Sequence, residues 1–573
     1  MKKWNILNNQ KTLRQSSGQA DKSKLKTDEE ILKILLKNRG LIKKKEIEEF
    51  LDPKLEQVTA EKLNIKKTEL KKATVRIKKA ITDKESIVVY TDYDVDGVCA
   101  GAIVWETLHK MGAIIMPYVP HRVEEGYGLS EKGIEAVIKL HKPSLIITVD
   151  HGVTAAEKVK YLASHGIDTI IIDHHLIPRK VPQATALVHT TSLCATGVAW
   201  FFAKVLKKES RKVTYNLDLV ALATIADLIP LIGPSRTLTK LGLEELNKTE
   251  RIGLEMLISE CNLEKGNIGV YEIGHILAPR INAMGRLTHA IEALRLLCTK
   301  DKERGKNLAK QLCQVNLNRQ IQTSDSIVIA TEMVKHQLTI RESQTQEKLI
   351  FISEERFTQG VIGLVASRLV DNYYLPAIVI SEGKEYSKAS ARSIAGFNIV
   401  EAISKAGDLL VDVGGHPMAA GFTIETKNLE KLRVRLKSIV AQDLPQELLS
   451  RVINIDMALN LADITDSLYI TISKLAPFGA GNPEPVFATE GLNIVGARLV
   501  GKDKTHLKLF IKQSDGSKVL EAIGFGMGQL YPSLTPSAII DLAYTINEDR
   551  WNGNDGLQLK LKDVKIRENK FHD

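Results

Sequence analysis

Apolar residues in the first part of the chain fall in short blocks, each followed by a stretch with helix-like spacing. Ile87-Val88-Val89, Leu145-Ile146-Ile147-Thr148-Val149 and Thr169-Ile170-Ile171-Ile172 are continuous runs, as strands buried on both faces require. Between them the period lengthens: 98–111 carries Ile103, Val104, Leu108 and Met111 at helical spacing. This alternation from about 85 to 230 predicts a parallel, doubly wound sheet. Residues 230–340 read as helical, with 290–334 a long polar helix joining two domains. A second, smaller α/β unit is predicted next, with a strand at 348–352, a helix at 361–370 and a strand at Ala377–Ser381. Beyond about 450, His506-Leu507-Lys508-Leu509-Phe510-Ile511 and Leu557-Gln558-Leu559-Lys560-Leu561 alternate, with turns at Gly501, Asp515-Gly516 and Asn552-Gly553. They predict a small antiparallel barrel or sandwich. Residues 1–80 read as polar helices, with Ile31, Leu32, Ile34, Leu35 and Leu36 set between lysines. The expected division is 1–80, 81–295, 296–340 for the linking helix, 341–448 and 449–573.

The 573 residues exceed what one core supports, and 44% apolar with 26% charged residues is an ordinary globular balance. No apolar run approaches the roughly 20 residues of a membrane span, and the first residues lack a secretory apolar block. A cytoplasmic protein is expected, with no membrane partner. Cys99, Cys194, Cys261, Cys298 and Cys313 are scattered and form no C-x-x-C pair. That excludes a disulfide framework and a cysteine zinc site, so reduced, mostly buried thiols are expected. The net charge of +10 is an N-terminal property: residues 1–80 hold 22 Lys and Arg against 11 Asp and Glu, the remainder 57 against 58. A basic arm suits a polyanion, and a solvated helical surface accounts for it equally well.

The chemistry sits where the strands end. Tyr90-Thr91-Asp92-Tyr93-Asp94-Val95-Asp96-Gly97 sets three carboxylates at alternate positions directly after the first strand. The second strand runs into Asp150 and the third into Asp173-His174-His175. Carboxylates this close repel unless a cation lies among them, and a divalent metal is the simplest such cation. A calcium EF-hand loop is excluded, because its twelfth position requires Glu and here is Ile103, within an apolar helix. Imidazole beside carboxylate suits Mn²⁺ better than Ca²⁺, whereas Mg²⁺ prefers oxygen and water. Only one of two adjacent histidines faces a given side, so one ligand is expected, with a neighbour that orients it or contacts phosphate. Asp227 stands in Ala223-Thr224-Ile225-Ala226-Asp227-Leu228-Ile229-Pro230, where a charge is costly unless paired or metal-bound.

These four elements, in this order, resemble the DHH phosphoesterase family. Pro279-Arg280-Ile281-Asn282-Ala283-Met284-Gly285-Arg286 is similar to the arginine-rich motif of its RecJ branch. The segment from Gln359 to Leu369, Ala391-Arg392-Ser393 and Gly414-Gly415-His416-Pro417-Met418-Ala419-Ala420-Gly421 resemble the second, DHH-associated domain. Pro477-Phe478-Gly479-Ala480-Gly481-Asn482-Pro483-Glu484-Pro485 looks like the opening of the branch's oligonucleotide-binding (OB) domain. The resemblance implies an α/β fold: a DHH-type parallel-sheet domain, a long linking helix, a smaller α/β domain and a C-terminal OB-type β-barrel. It implies two Mn²⁺ or Mg²⁺ ions per site, held by Asp94, Asp96, Asp150, His174 and Asp227, with Asp92 and His175 catalytic beside them. Arg280, Asn282, Arg286, Arg368, Arg392, Ser393, Gly414, Gly415 and His416 are implied substrate contacts.

The implied activity is single-strand-specific 5′→3′ DNA hydrolysis that releases 5′ mononucleotides in recombination and repair. A monomer is expected, and the family implies a helicase and a single-strand-binding protein as partners. The polarity rests on the resemblance alone. Two other readings compete: a phosphodiesterase on cyclic dinucleotides or short oligoribonucleotides, and a non-catalytic nucleic-acid scaffold. The barrel and the intact acids argue against each in turn. In the barrel, Phe478, Phe510, Phe525 and Trp551 lie among Lys502, Lys504, Lys508 and Lys560, where aromatics can stack bases; barrel core is the preferred reading for Phe510 and Phe525, although alternation sets Leu507 and Leu509 on the face opposite Phe510 and leaves both readings open. Three departures from the family pattern, His151, His189-Thr190 and Ser235-Arg236, put the fine geometry of the site in question.

Overall fold

The computed structural model describes residues 2–7, 27–122, 124–126, 128–207, 214–339, 347–513, 518–535, 538–549 and 556–567. The turns expected at Asp515-Gly516 and Asn552-Gly553, and Trp551, lie outside them. The chain divides into two compact units: 55–229 with 237–450, and 1–54 with 230–236 and 451–573. The stretch 1–80 is therefore shared between two units. Among the described residues, no helix is long and apolar enough to cross a membrane.

The larger unit opens with an all-parallel sheet, ordered Ile114–Tyr118, Ser86–Thr91, Leu145–Val149, Asp168–Asp173, Ala186–His189. Ile87 and Val89 enter one core cluster and Val88 and Tyr90 another, which is why these strands read as unbroken apolar runs. The helices Val95–Lys110, Ala195–Leu206 and Leu217–Ala226 cover the first face; Glu131–His141 and Ala156–Ser164 cover the second. Burying each such side chain contributes about 1.5–3 kcal/mol, so the strand positions are firmly set. The chain steps outward from Ser86–Thr91 to Ile114–Tyr118, then returns to the other side at Leu145–Val149. That reversal opens a crevice at the carboxyl end of Ser86–Thr91. The lysine-rich helix Lys67–Thr82 buries Leu70, Ala73, Ile77 and Ala80 and turns Lys71, Lys72, Lys78 and Lys79 outward, so the basic stretch forms a solvated helical face here.

The linking helix spans Lys302–Thr339 and does not begin near 290 or 296. A separate helix, Ile291–Cys298, precedes it. Thr299 Oγ1 accepts from Asp301 N, and Asp301 Oδ1 accepts from Arg304 N at 2.7 Å. These short polar side chains offer the backbone a break and a fresh N-cap. The second α/β domain has a sheet ordered Leu410–His416, Ala419–Glu425, Tyr386–Arg392, Ala377–Ser381, Ile350–Glu354, parallel only between the last two. The helix Ile362–Tyr373 packs on it.

The smaller unit is built on a closed barrel. Phe487–Val500, His506–Gln513, Val519–Gly524, Leu557–Arg567 and Ile539–Glu548 pair in turn, and the last returns to the first. Leu507, Leu509 and Ile511 fill its core, as alternation predicts. Phe510 and Phe525 are not core residues: Phe510 is half-buried beside Arg498 and Lys508, and Phe525 is exposed with Lys560 over its ring. Phe510 lies on the strand face opposite the two leucines, and Phe525 follows the strand Val519–Gly524 into a turn. Phe478 packs partly buried against the core. The helix Asp28–Asn38 belongs to this unit, started by a Thr27–Glu30 capping box and burying Ile31, Leu35 and Leu36.

Candidate metal and phosphate site

Seven of the expected residues converge where the sheet reverses. Asp92 follows strand Ser86–Thr91 and is buried, and its Oδ1 has no hydrogen-bond partner among the described residues. Asp94 caps the helix Val95–Lys110, its Oδ1 accepting from Asp96 N at 2.9 Å and Gly97 N at 3.1 Å. Gly97 is required there: a Cβ would stand 2.7 Å from the Asp92 backbone. Asp96 accepts from Ala195 N at 2.7 Å, Thr196 N at 2.8 Å and Thr196 Oγ1 at 2.6 Å, at the start of the helix Ala195–Leu206. The N–H groups at a helix start favour a negative charge. Asp150 follows Leu145–Val149 with φ of 67°, a left-handed conformation that non-glycine residues seldom hold and that recurs at functional sites. Asp227 ends the helix Leu217–Ala226.

His174 lies at the centre. Its Nε2 is 3.2 Å from Asp150 Oδ1, 3.7 Å from Asp227 Oδ2 and 3.8 Å from Asp96 Oδ2. Three ligand sets result, each with its atoms within 4.8 Å of one another: Asp92, Asp94 and Asp150; Asp96, His174 and Asp227; and Asp150, His174 and His175. Asp150 and His174 each occur in two of the three. The first two sets form two lobes, and the third joins them through Asp150 and His174.

Electrostatics shows what the cluster suits. Burial, reinforced by the neighbouring carboxylates, pushes Asp92, Asp94 and Asp150 above the usual carboxylate range. Asp227 is pushed up to about 8 by the same causes. Burial lowers His174, favouring a neutral ring with a lone pair to donate. Carboxylates that cannot all ionise, an orphaned buried oxygen and a neutral imidazole fit hard divalent cations of the Mg²⁺ or Mn²⁺ type.

Asp173, first residue of the acid-imidazole triplet, has a different task, which the sequence did not disclose. Its Oδ2 accepts from Val153 N at 2.9 Å, and its Oδ1 from His174 N at 2.7 Å and His175 Nδ1 at 2.8 Å. It orients the histidine pair from behind. Burial opposes the charge on both partners, but their mutual bond holds Asp173 well below the usual carboxylate range and raises His175. The two departures nearby are also accounted for. His189 Nε2 lies 2.7 Å from the His175 carbonyl. His151 turns away to the Tyr90 carbonyl, 3.1 Å from its Nε2, is driven by burial to about 4, and joins none of the ligand sets.

Beside the cluster, Tyr93 forms part of the wall of a cleft of about 400 Å³, which Arg122, Arg286, Lys388, Ser390 and Arg392 also line. Among the described residues, no carboxylate lines it. Burial and the neighbouring Arg122, Arg319 and Arg392 lower Arg286 to about 10 against the opposing pull of Asp94, the mark of a crowded, buried group of cations. A Cβ on Gly285 would stand 2.4 Å from Tyr93 O, so only glycine lets this helix approach the acidic loop. His416 of the second domain reaches the cluster, its ring 6.1 Å from that of His175 and near-parallel at 15°.

Several expected substrate contacts lie elsewhere. Asn282 Oδ1 accepts from Val95 N at 3.2 Å and so braces the acidic loop. Arg280 donates to Ile276 O and Cys313 Sγ. Arg368 is exposed on its helix, and Ser393 is buried, its Oγ donating to Phe397 O at 2.7 Å. Gly414 and Gly415 lie in the strand Leu410–His416, outside the cleft lining. Ser390, two residues before Arg392 and on its strand face, takes the place expected of Ser393; the period-2 rule carries that signal. Arg122 lies in an irregular segment and gave none.

A parallel sheet with a carboxylate–imidazole cluster at its switch point, and a cationic cleft against it, define a protein built to hold divalent cations next to phosphate. Models of known families divide the chain in the same sense: the DHH family N-terminal domain matches 86–224, the DHHA1 domain 346–442 and the RecJ OB domain 455–563. The single-stranded-DNA-specific exonuclease RecJ of Bacillus subtilis is 37% identical over 87% of this chain, which spans 64% of that protein's length. That of Haemophilus influenzae is 31% identical over 84% of this chain and 88% of its own. The crystal structure of RecJ in complex with Mn²⁺ from Thermus thermophilus covers 94% of this chain and 76% of that one, with TM-score 0.79 and 27% identity. The chain belongs to the RecJ family of DHH proteins.

Proposed function

We propose that this protein is a metal-dependent, single-strand-specific DNA exonuclease that works from the 5′ end and releases 5′ mononucleotides. The observation that carries the reading is the cluster at the sheet's switch point, with its two ligand lobes, abutting a cleft lined by four cations. Asp92, Asp94 and Asp150 would hold one Mn²⁺ or Mg²⁺, and Asp96, His174 and Asp227 a second. Ions bound there supply a water of lowered pKa and charge for the phosphoryl oxygens.

The chain's own residues do the rest. Asp173 fixes His175 through Nδ1, with His416 alongside, and the imidazolium so held would contact a phosphate oxygen. Arg122, Arg286 and Arg392 seat the terminal phosphate, and Ser390 adds a hydroxyl. A terminal phosphate carries more charge than an internal one, which this cleft favours. The neutral ring of His174 and the caps on Asp94 and Asp96 keep the cluster in place as charge develops.

The barrel, with Phe510 half-buried beside Arg498 and Lys508 and Phe525 exposed beside Lys560, suits a single strand whose bases stack on rings. A monomeric cytoplasmic enzyme partnered by a helicase and a single-strand-binding protein completes the proposal. Digestion of a 5′-phosphorylated, 3′-labelled strand beside a cyclic dinucleotide and a diribonucleotide tests it. Preference for the strand is expected. Preference for either small substrate would transfer the assignment to the phosphodiesterase reading.

A further inference from the structure

Scattered apolar side chains on a protein surface are ordinary, but two here stand directly beside the metal cluster. Leu228, 74% exposed, and Leu176, 71% exposed, are two of the three most exposed large apolar residues among the described ones, with Ile42 the third at 73%. Leu228 directly follows Asp227, and Leu176 directly follows His175. Asp227 Oδ2 lies 3.7 Å from His174 Nε2, so the two segments meet at one lobe of the cluster. Leu228 also holds a backbone conformation that leucine seldom adopts. The helix Leu217–Ala226 closes with Leu228 N donating to Ile225 O at 3.3 Å and Ile229 N to Thr224 O at 3.1 Å, which sets Leu228 at φ of 57°. Glycine fills that place most readily, because it has no Cβ. A leucine there lowers stability twice, through its backbone and through the apolar surface it leaves in water. Metal ions gain nothing from such a surface, whereas the face of a nucleobase does.

The order of cleft and lobes decides which base. Tyr93, between Asp92 and Asp94, lines the cationic cleft, so the lobe of Asp92, Asp94 and Asp150 is the one beside the terminal phosphate. A strand with its terminal phosphate in the cleft and its next phosphate on the cluster continues past the lobe of Asp96, His174 and Asp227, where the two leucines stand. We propose, resting on the nuclease reading above, that Leu228 and Leu176 form an apolar lip that carries the base of the second nucleotide, the one whose 5′ phosphate is cleaved. Both are positioning residues: they hold that nucleotide by its base while the cluster acts on its phosphate. A base within a duplex is stacked on both faces and settles on a side chain only by leaving its neighbours, so the lip also favours single strands.

The test uses the full chain with Mn²⁺ and two 5′-phosphorylated, 3′-labelled strands, one intact and one abasic at its second nucleotide only. Single-turnover kcat/KM for the first cut is read on both, for the unaltered chain, Leu228→Gly and Leu228→Met. The unaltered chain should cut the abasic strand roughly tenfold more slowly, and Leu228→Gly should cut the intact strand more slowly by a similar factor. On the abasic strand Leu228→Gly should lose nothing further, because the contact has already gone. Leu228→Met keeps an apolar side chain and should retain most of the rate. The melting temperature of Leu228→Gly should hold or rise, and its Mn²⁺ affinity should match that of the unaltered chain. Equal slowing of Leu228→Gly on both strands, no slowing on either, or a weaker Mn²⁺ complex would overturn the lip and leave the nuclease standing. An unaltered chain that shortens neither strand would overturn the nuclease reading itself, and the lip with it.

Discussion

Replacing Arg286 with methionine removes one guanidinium from the cleft while keeping much of its apolar stem. The protein loses little by it: the arginine's hydrogen bond, to Gly360 O, is long at 3.3 Å. Three cations, Arg122, Arg319 and Arg392, repel it, so the substitution relieves strain and the melting temperature should hold or rise slightly. The substrate loses more. A charge-assisted bond from guanidinium to phosphate is worth about 2 kcal/mol, or roughly thirtyfold in kcat/KM. The loss should fall on strands bearing a 5′ phosphate, because the cleft is assigned to the terminal phosphate. Single-turnover digestion of matched 5′-phosphate and 5′-hydroxyl strands would therefore show the phosphate preference shrinking roughly thirtyfold, with the hydroxyl strand nearly unaffected. Arg286→Lys should recover only part, since it restores the charge but not the planar fork. An equal fall on both strands would refute the assignment of this cleft, because Arg286 would then serve the fold or the whole strand.

Other expectations follow from the same geometry. Gly97→Ala places a methyl 2.7 Å from the Asp92 backbone, so urea denaturation should show a loss of about 1–3 kcal/mol and Mn²⁺ titration a weaker complex. In metal-free protein the Asp173–His175 pair should give a bell-shaped stability term, read as the difference between the unaltered chain and Asp173→Asn. Asp173 is lowered, so its share is present above its ordinary 3.8 and lost as pH falls; His175 is raised, so its share is full below 6.5 and lost as pH climbs through its folded value. Urea titrations should thus show the difference largest between about pH 4 and 6.5, and a difference flat in pH would remove the pair from the account. Adding Mn²⁺ to chelated protein should raise the melting temperature and release protons from the cluster, with the release reduced in Asp227→Asn, because Asp227 sits near 8 without metal.

The catalytic frame was legible because its signals are local and periodic. Buried strands announce themselves as apolar runs, and an acid directly after one has few roles other than a cap or a ligand. Direction was less legible. Arg280, Arg286 and Asn282 share one motif, yet one faces a thiol, one the cleft and one the acidic loop, because a helix sends neighbouring residues to different sides. Ser390, on the strand Tyr386–Arg392, and Ser393, just beyond its end, likewise point to different places. The break at 299–301 was hidden because a capping Thr and Asp look like ordinary polar residues of a solvated helix. Nothing periodic marked Arg122. The basic count of residues 1–80 concealed that their apolar residues serve two separate cores.

The most direct experiment digests a 3′-labelled single strand and its duplex with Mn²⁺, comparing the unaltered chain with Asp150→Ala. Asp150 joins the two lobes, so its loss should disable both. The expected result is progressive shortening of the single strand alone, lost by at least about a hundredfold in the variant and on chelation. A strand that is bound but never shortened, or one shortened equally by Asp150→Ala, would contradict the assignment of catalysis to this cluster.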